Sequence, residues 1–170
     1  MLTLQRTFNI IFILVLCFVL ASAFAYQIIK HEEPCPLCYL QRLSMMGISI
    51  SLLMNLRFGI KAQHYGLAIV CALLGEAESL RQILLHICPQ FPVFGEPVFG
   101  FDLYMWAFIV FTLSIFSCAV LLMIKGYASQ VEYLPTWSGI ETATFILVCL
   151  LILGNIGSTY YDCGLSACGD

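Results

Sequence analysis

The sequence predicts an all-α integral membrane protein built as a helical bundle, and three observations predict it. Of its 170 residues 61% are hydrophobic and only 10% are charged, and the mean hydropathy is +0.96, well above a soluble domain with about 45–50% apolar residues. Uncharged stretches recur at bilayer-spanning length. The turn-forming and charged residues gather between those stretches, which gives one multi-pass domain over residues 1–170 with no linker.

The first span is Phe8–Ile29, uncharged throughout and long enough to cross a hydrocarbon core of about 30 Å at about 1.5 Å per residue. Arg6, the apolar run and Ala21-Ser22-Ala23 imitate a cleavable signal. The run exceeds the roughly 7–15 residues of a signal core, so the segment is expected to stay as a span. The second span, Cys38–Leu56, requires Arg42 to snorkel to an interface, and Arg57 ends it. The third, Tyr65–Ile87, is the polar exception with Glu76, Glu78, Arg81 and His86; Glu78 and Arg81, three apart, are placed to pair with each other. The fourth is Leu103–Ile124, between Asp102 and Lys125. The fifth is Thr142–Tyr161, between Glu141 and Asp162.

A net charge of −3 with seven scattered basic residues provides no cationic stripe for phosphates, so nucleic acid is excluded as a partner. No phosphate-binding glycine loop, nucleophile elbow or His-Glu-x-x-His is present. Arg6, Arg57, Lys61 and Lys125 place their segments in the cytoplasm by the positive-inside rule. The nine cysteines agree. Cys17, Cys71, Cys118 and Cys149 fall inside spans, where free cysteine packs as a small hydrophobe. Cys35, Cys38, Cys88, Cys163 and Cys168 fall at span ends that five crossings bring to one face. Segments on the other face have none, as expected if only one side is oxidising.

The centre of interest is Glu33-Pro34-Cys35-Pro36-Leu37-Cys38-Tyr39-Leu40-Gln41-Arg42. Proline suits the first position of a helix, so Pro36 makes Cys35 the N-cap of the second span, with the Cys38 N–H aimed back at the Cys35 sulfur. Unsatisfied N–H donors and the positive helix end favour a thiolate there, opposed by Glu32 and Glu33. Arg42 lies one turn deeper on the same face, either as an interfacial anchor or as a cation beside a thiolate and an electron-rich acceptor entering from lipid.

This run, between the first and second spans, resembles the disulfide bond formation protein B (DsbB) family, and the similarity extends over about residues 8–124. The resemblance implies a four-helix DsbB-like core, here with a fifth transmembrane helix added. It implies an oxidoreductase of the bacterial inner membrane, a quinone-dependent thiol oxidase that reoxidises a periplasmic thioredoxin-like, DsbA-type dithiol protein and delivers the electrons to ubiquinone or menaquinone. It further implies that Cys38 meets the quinone, Arg42 stabilises the thiolate and Cys35 exchanges with a second cysteine pair. His86 is either a hydrogen-bond donor to a quinone carbonyl or an interfacial histidine.

The pattern departs from the family in that the loop Cys88–Asp102 holds Cys88 alone. Cys163 and Cys168, in the tail DCGLSACGD, are the remaining candidates. Either they form the donor-facing pair with Cys88 as intermediate, or Cys88 pairs with one of them, or the tail pair is a structural clip. The competing reading is a metal-binding membrane protein using Cys35, Cys38, Cys163 and Cys168 as four thiolate ligands. The loop also repeats Pro92-Val93-Phe94-Gly95 as Pro97-Val98-Phe99-Gly100, a non-helical aromatic segment suited to the membrane surface.

Overall fold

The computed structural model describes residues 2–30, 35–87, 97–127 and 138–164. Five helices follow one another: α1 (Leu2–Lys30), α2 (Pro36–Phe58), α3 (Ala62–Ile87), α4 (Leu103–Tyr127) and α5 (Gly139–Cys163). Every expected span is helical and each helix reaches beyond the purely apolar stretch, because the flanking polar residues continue the backbone ladder where water is available. Four of the five, all but α3, are long and apolar enough to cross a membrane, and the chain is a multi-pass membrane protein.

Helix α2 is the hub, packed against α1, α3 and α5, while α3 and α4 pack against each other and α5 also packs on α1. Between lipid-facing helices apolar burial gives little driving force, so close packing and interhelical hydrogen bonds hold the bundle. Two glycines make the close packing possible. A β-carbon at Gly47 would stand 2.8 Å from the Cys71 sulfur, and one at Gly75 would fall within the Phe111 ring. Cys17 and Cys118 are buried in the shared core with Ile13, Leu52, Tyr65 and Phe111, and Cys71 packs against it, as expected of small apolar fillers. Phe8, Ile11 and Val15 face outward along α1.

The polar residues of α3 are placed differently from the expectation. No ion pair joins Glu78 to Arg81. Glu78 instead accepts from Ser44 Oγ of α2 at 3.4 Å, and Glu76 accepts from Thr112 Oγ1 of α4 at 2.7 Å. Their spacing permits the pair, but α3 lies between α2 and α4 and offers each acid a hydroxyl across a helix seam. Before α4, Val98 and Phe101 bridge across a tight turn in which Phe99 (φ 53) and Gly100 (φ 81) both take the left-handed conformation. Only the glycine does so without steric cost. Trp106 Nε1 donates to Val98 O at 2.9 Å and fastens the turn to α4.

Candidate active site: two thiols at a helix terminus

Cys35 caps α2 in an extended conformation (φ −65, ψ 155), with Pro36 opening the first turn. The Cys38 N–H donates to Cys35 Sγ at 3.3 Å, the contact that Pro36 implies in the sequence. This folds the two sulfurs together: Sγ to Sγ is 2.7 Å, and both thiols are free and half-buried. A short rotation about either side chain brings them to bonding distance, so the pair can cycle between dithiol and disulfide without moving the helix.

A third helix contributes what local sequence does not announce. Gln82 Nε2 of α3 donates to Cys35 Sγ at 3.3 Å and stands 3.9 Å from Cys38 Sγ. Its Oε1 accepts from Gln41 Nε2 at 2.9 Å, which fixes the amide with its nitrogen toward the sulfurs. Both glutamines are buried. Their signal in the sequence is masked, since Gln41 adjoins Arg42 and Gln82 adjoins Arg81 on the polar third span.

Arg42 does not lie along the interface as an exposed anchor. It is only 7% exposed, turned into the seam between α1 and α2. There Nη1 donates to Gln27 Oε1 at 2.8 Å and Nη2 to Ala23 O at 3.2 Å. The guanidinium also stands over the Phe24 ring, 4.7 Å from its centroid, and 5.7 Å from that of Tyr39. A cation in low dielectric is tolerated when several acceptors and aromatic faces share it.

These groups open into one cavity of about 520 Å³ whose polar lining includes Gln27, Cys35, Cys38, Gln41, Arg42, Gln82 and Tyr104. By their places along the helices these lie toward the Cys35 end. Phe18, Leu20, Met45, Ala107 and Val110 make the deeper walls apolar. Phe99 and Trp106 stand with them on the α4 side.

His86 is not in that lining. Its Nδ1 donates to Gln82 O at 2.7 Å, and its ring stacks on Tyr104 with centroids 5.0 Å apart. It therefore borders the cavity through Tyr104. Cys88 and Cys168 lie outside the described residues, and Cys163 is the last residue of α5, with its side chain also outside them. The helix end it occupies is nonetheless located: Gln27 Nε2 donates to Ser158 Oγ at 3.0 Å, which sets the C-terminal turns of α5 beside the end of α1 that holds Arg42. Among the described residues no three metal-ligating side chains gather; the four-thiolate alternative needs the two tail cysteines.

The model of the family described as Disulfide bond formation protein DsbB matches residues 5–156, past the first four helices and into α5. A protein named Disulfide bond formation protein B from Marinobacter nauticus is 37% identical over 102 residues, which is 56% of this chain and 60% of that protein. The chain thus spans less than two thirds of the length of that relative. No solved structure matches significantly. The match takes in the cysteine pair, Arg42, Gln82 and every helix that walls the cavity, and the chain belongs to the DsbB family of disulfide bond formation proteins.

Proposed function

We propose that this protein is a quinone-dependent thiol oxidase of the bacterial inner membrane, with its redox cysteines on the periplasmic side, that reoxidises a DsbA-type dithiol protein. One observation carries the reading: the Cys35–Cys38 pair and the Arg42 guanidinium line the same apolar cavity. The cavity residues fit a quinone, with donors Arg42 and Gln41 at one end for ring oxygens and apolar walls below for an isoprenoid tail. A bound ubiquinone or menaquinone supplies a two-electron, two-proton acceptor stronger than a donor disulfide near about −120 mV.

The residues divide the work. In the oxidised protein, Cys35 receives the attack of a thiolate relayed from the donor, and Cys38 departs as the leaving sulfur. The Cys35 thiol is pushed above its ordinary value, first by its hydrogen bond with Cys38 and then by burial, so in the reduced pair the charge falls to Cys38. The α2 N-terminus, the Gln82 amide and Arg42 hold that charge in place. A second relay thiol frees Cys35 by closing the relay disulfide, and reforming the Cys35–Cys38 bond then gives up two electrons and two protons to the acceptor. Cys88, Cys163 and Cys168 form the relay to the donor. The position of Ser158 beside Gln27 supports this, since Cys163 follows five residues on, about 7.5 Å along a helix. His86 borders the site by stacking on Tyr104.

The test is reoxidation of a reduced DsbA-type protein by the full chain in lipid nanodiscs, with decyl-ubiquinone or a menaquinone analogue supplied. Turnover that requires quinone, and stops in Cys38→Ser, is expected. Quinone-independent turnover, or stoichiometric zinc in the purified protein, overturns the proposal. Labelling of Cys35 and Cys38 by a membrane-impermeant maleimide from outside spheroplasts tests the sidedness.

A further inference from the structure

Ser158 lies just beyond the stretch matched by the family model, which ends at residue 156, yet it is joined to the redox site by two hydrogen bonds. Arginine can only donate, so Gln27 must turn its oxygen toward Arg42 Nη1, and it does so at 2.8 Å. That choice points the Gln27 NH2 away from Arg42, where it needs an acceptor because an amide N–H without a partner is costly in apolar surroundings. The hydroxyl of Ser158 on α5 is that acceptor, at 3.0 Å.

We propose that Ser158 is a positioning residue for Arg42, acting through Gln27, so that the fifth helix takes part in setting the reactivity of Cys38. The inference rests on the role given to Arg42 above. Without the hydroxyl, one contact that sets which way the Gln27 amide faces is lost, and the hold of its oxygen on Arg42 Nη1 weakens. The Nη1 side of Arg42 is then held less firmly, and its charge supports Cys38 less well. Helix α5 thereby does more than carry the tail cysteines. It closes the seam behind the cation through the Gln27–Ser158 contact.

The test uses the full chain, reduced and reconstituted in nanodiscs without quinone, and follows alkylation of Cys38 by iodoacetamide at pH 7 with site-resolved mass spectrometry. The thiolate is the reacting species, so the rate reports how well the negative sulfur is supported. Ser158→Ala is expected to slow alkylation about threefold, Ser158→Thr to restore the native rate, and Arg42→Gln to slow it about tenfold. In a Gln27→Leu background Ser158→Ala is expected to add nothing, which separates action through Gln27 from general loosening of α5. A native rate in Ser158→Ala, with Arg42→Gln slow, overturns this inference alone. A native rate in Arg42→Gln overturns the role of Arg42 and this inference with it. Slowing by Ser158→Ala that persists in the Gln27→Leu background also overturns it, as does failure of Ser158→Thr to restore the rate.

Discussion

The two ends of the bundle use similar side chains for opposite purposes. At the end away from the cysteines, several polar groups bond across helices, while the Gln5 amide and Asn55 Nδ2 stay buried without a partner among the described residues. Arg6 of α1 pairs with Glu141 of α5, and Glu141 also completes a capping box with Ser138. Asn9 and Tyr65 exchange hydrogen bonds at 3.1 and 3.2 Å. Asn55 Oδ1 accepts from the Lys61 N–H and from His64 Nδ1, both at 3.0 Å. At the cysteine end, Gln27, Gln41, Gln82 and Arg42 are also bonded among themselves, but each additionally lines a cavity. The lesson is that a buried polar network in a membrane protein serves as a clasp when its members face only each other, and as a site when they also share an open volume with reactive atoms.

Substitutions at the two ends should therefore separate chemistry from stability. The largest effect is expected from Cys38→Ser, which removes quinone-linked thiol oxidation altogether while leaving the unfolding midpoint in mixed micelles nearly unchanged, because serine fills the same space at a half-buried helix start. At the opposite end, Arg6→Met strands the Glu141 carboxylate, whose side chain is 2% exposed, and should cost about 3 kcal/mol of stability by denaturant titration. Turnover per folded molecule should stay at the native level. A stable but inactive Arg6→Met would dissolve the proposed division.

Gln82→Leu sharpens the comparison from the site side. It deletes the donor to Cys35 Sγ and the partner of Gln41, and turnover should fall about fivefold to tenfold, the equivalent of about 1 kcal/mol. Its loss of stability should be no more than about 1 kcal/mol. Equal losses from Arg6→Met and Gln82→Leu in both assays would show that the ends are not functionally distinct.

The smallest expected effect is a pH dependence at the clasp. His64 is held below the ordinary histidine value of 6.5 by burial first and by the neighbouring Lys61 second. A depressed histidine favours its neutral form in the folded state, so its contribution is complete above pH 6.5 and is lost as pH falls toward the folded value. Unfolding titrations from pH 7.5 to 5 should show this decline, and His64→Gln should flatten it.

What could be read from the residues alone was whatever depends on a few neighbours along the chain. Apolar run length located five helices, and Pro36 was enough to make Cys35 an N-cap whose sulfur accepts the Cys38 N–H, because capping is decided within one turn. The four-residue spacing put Arg42 on the same helix face as Cys38. Spacing also suggested a Glu78–Arg81 pair, which the packing of α3 between α2 and α4 replaced with bonds to Ser44 and Thr112. The folded arrangement decided the rest: Gln82 beside the thiols, Arg42 inside the α1–α2 seam and Ser158 behind Gln27. Those contacts join residues 15 to 131 positions apart. They depend on how each helix is rotated about its axis and which neighbour it meets, and in a lipid-facing bundle a nearly uniform apolar surface leaves that choice to small residues, hydrogen bonds and close packing across the whole assembly.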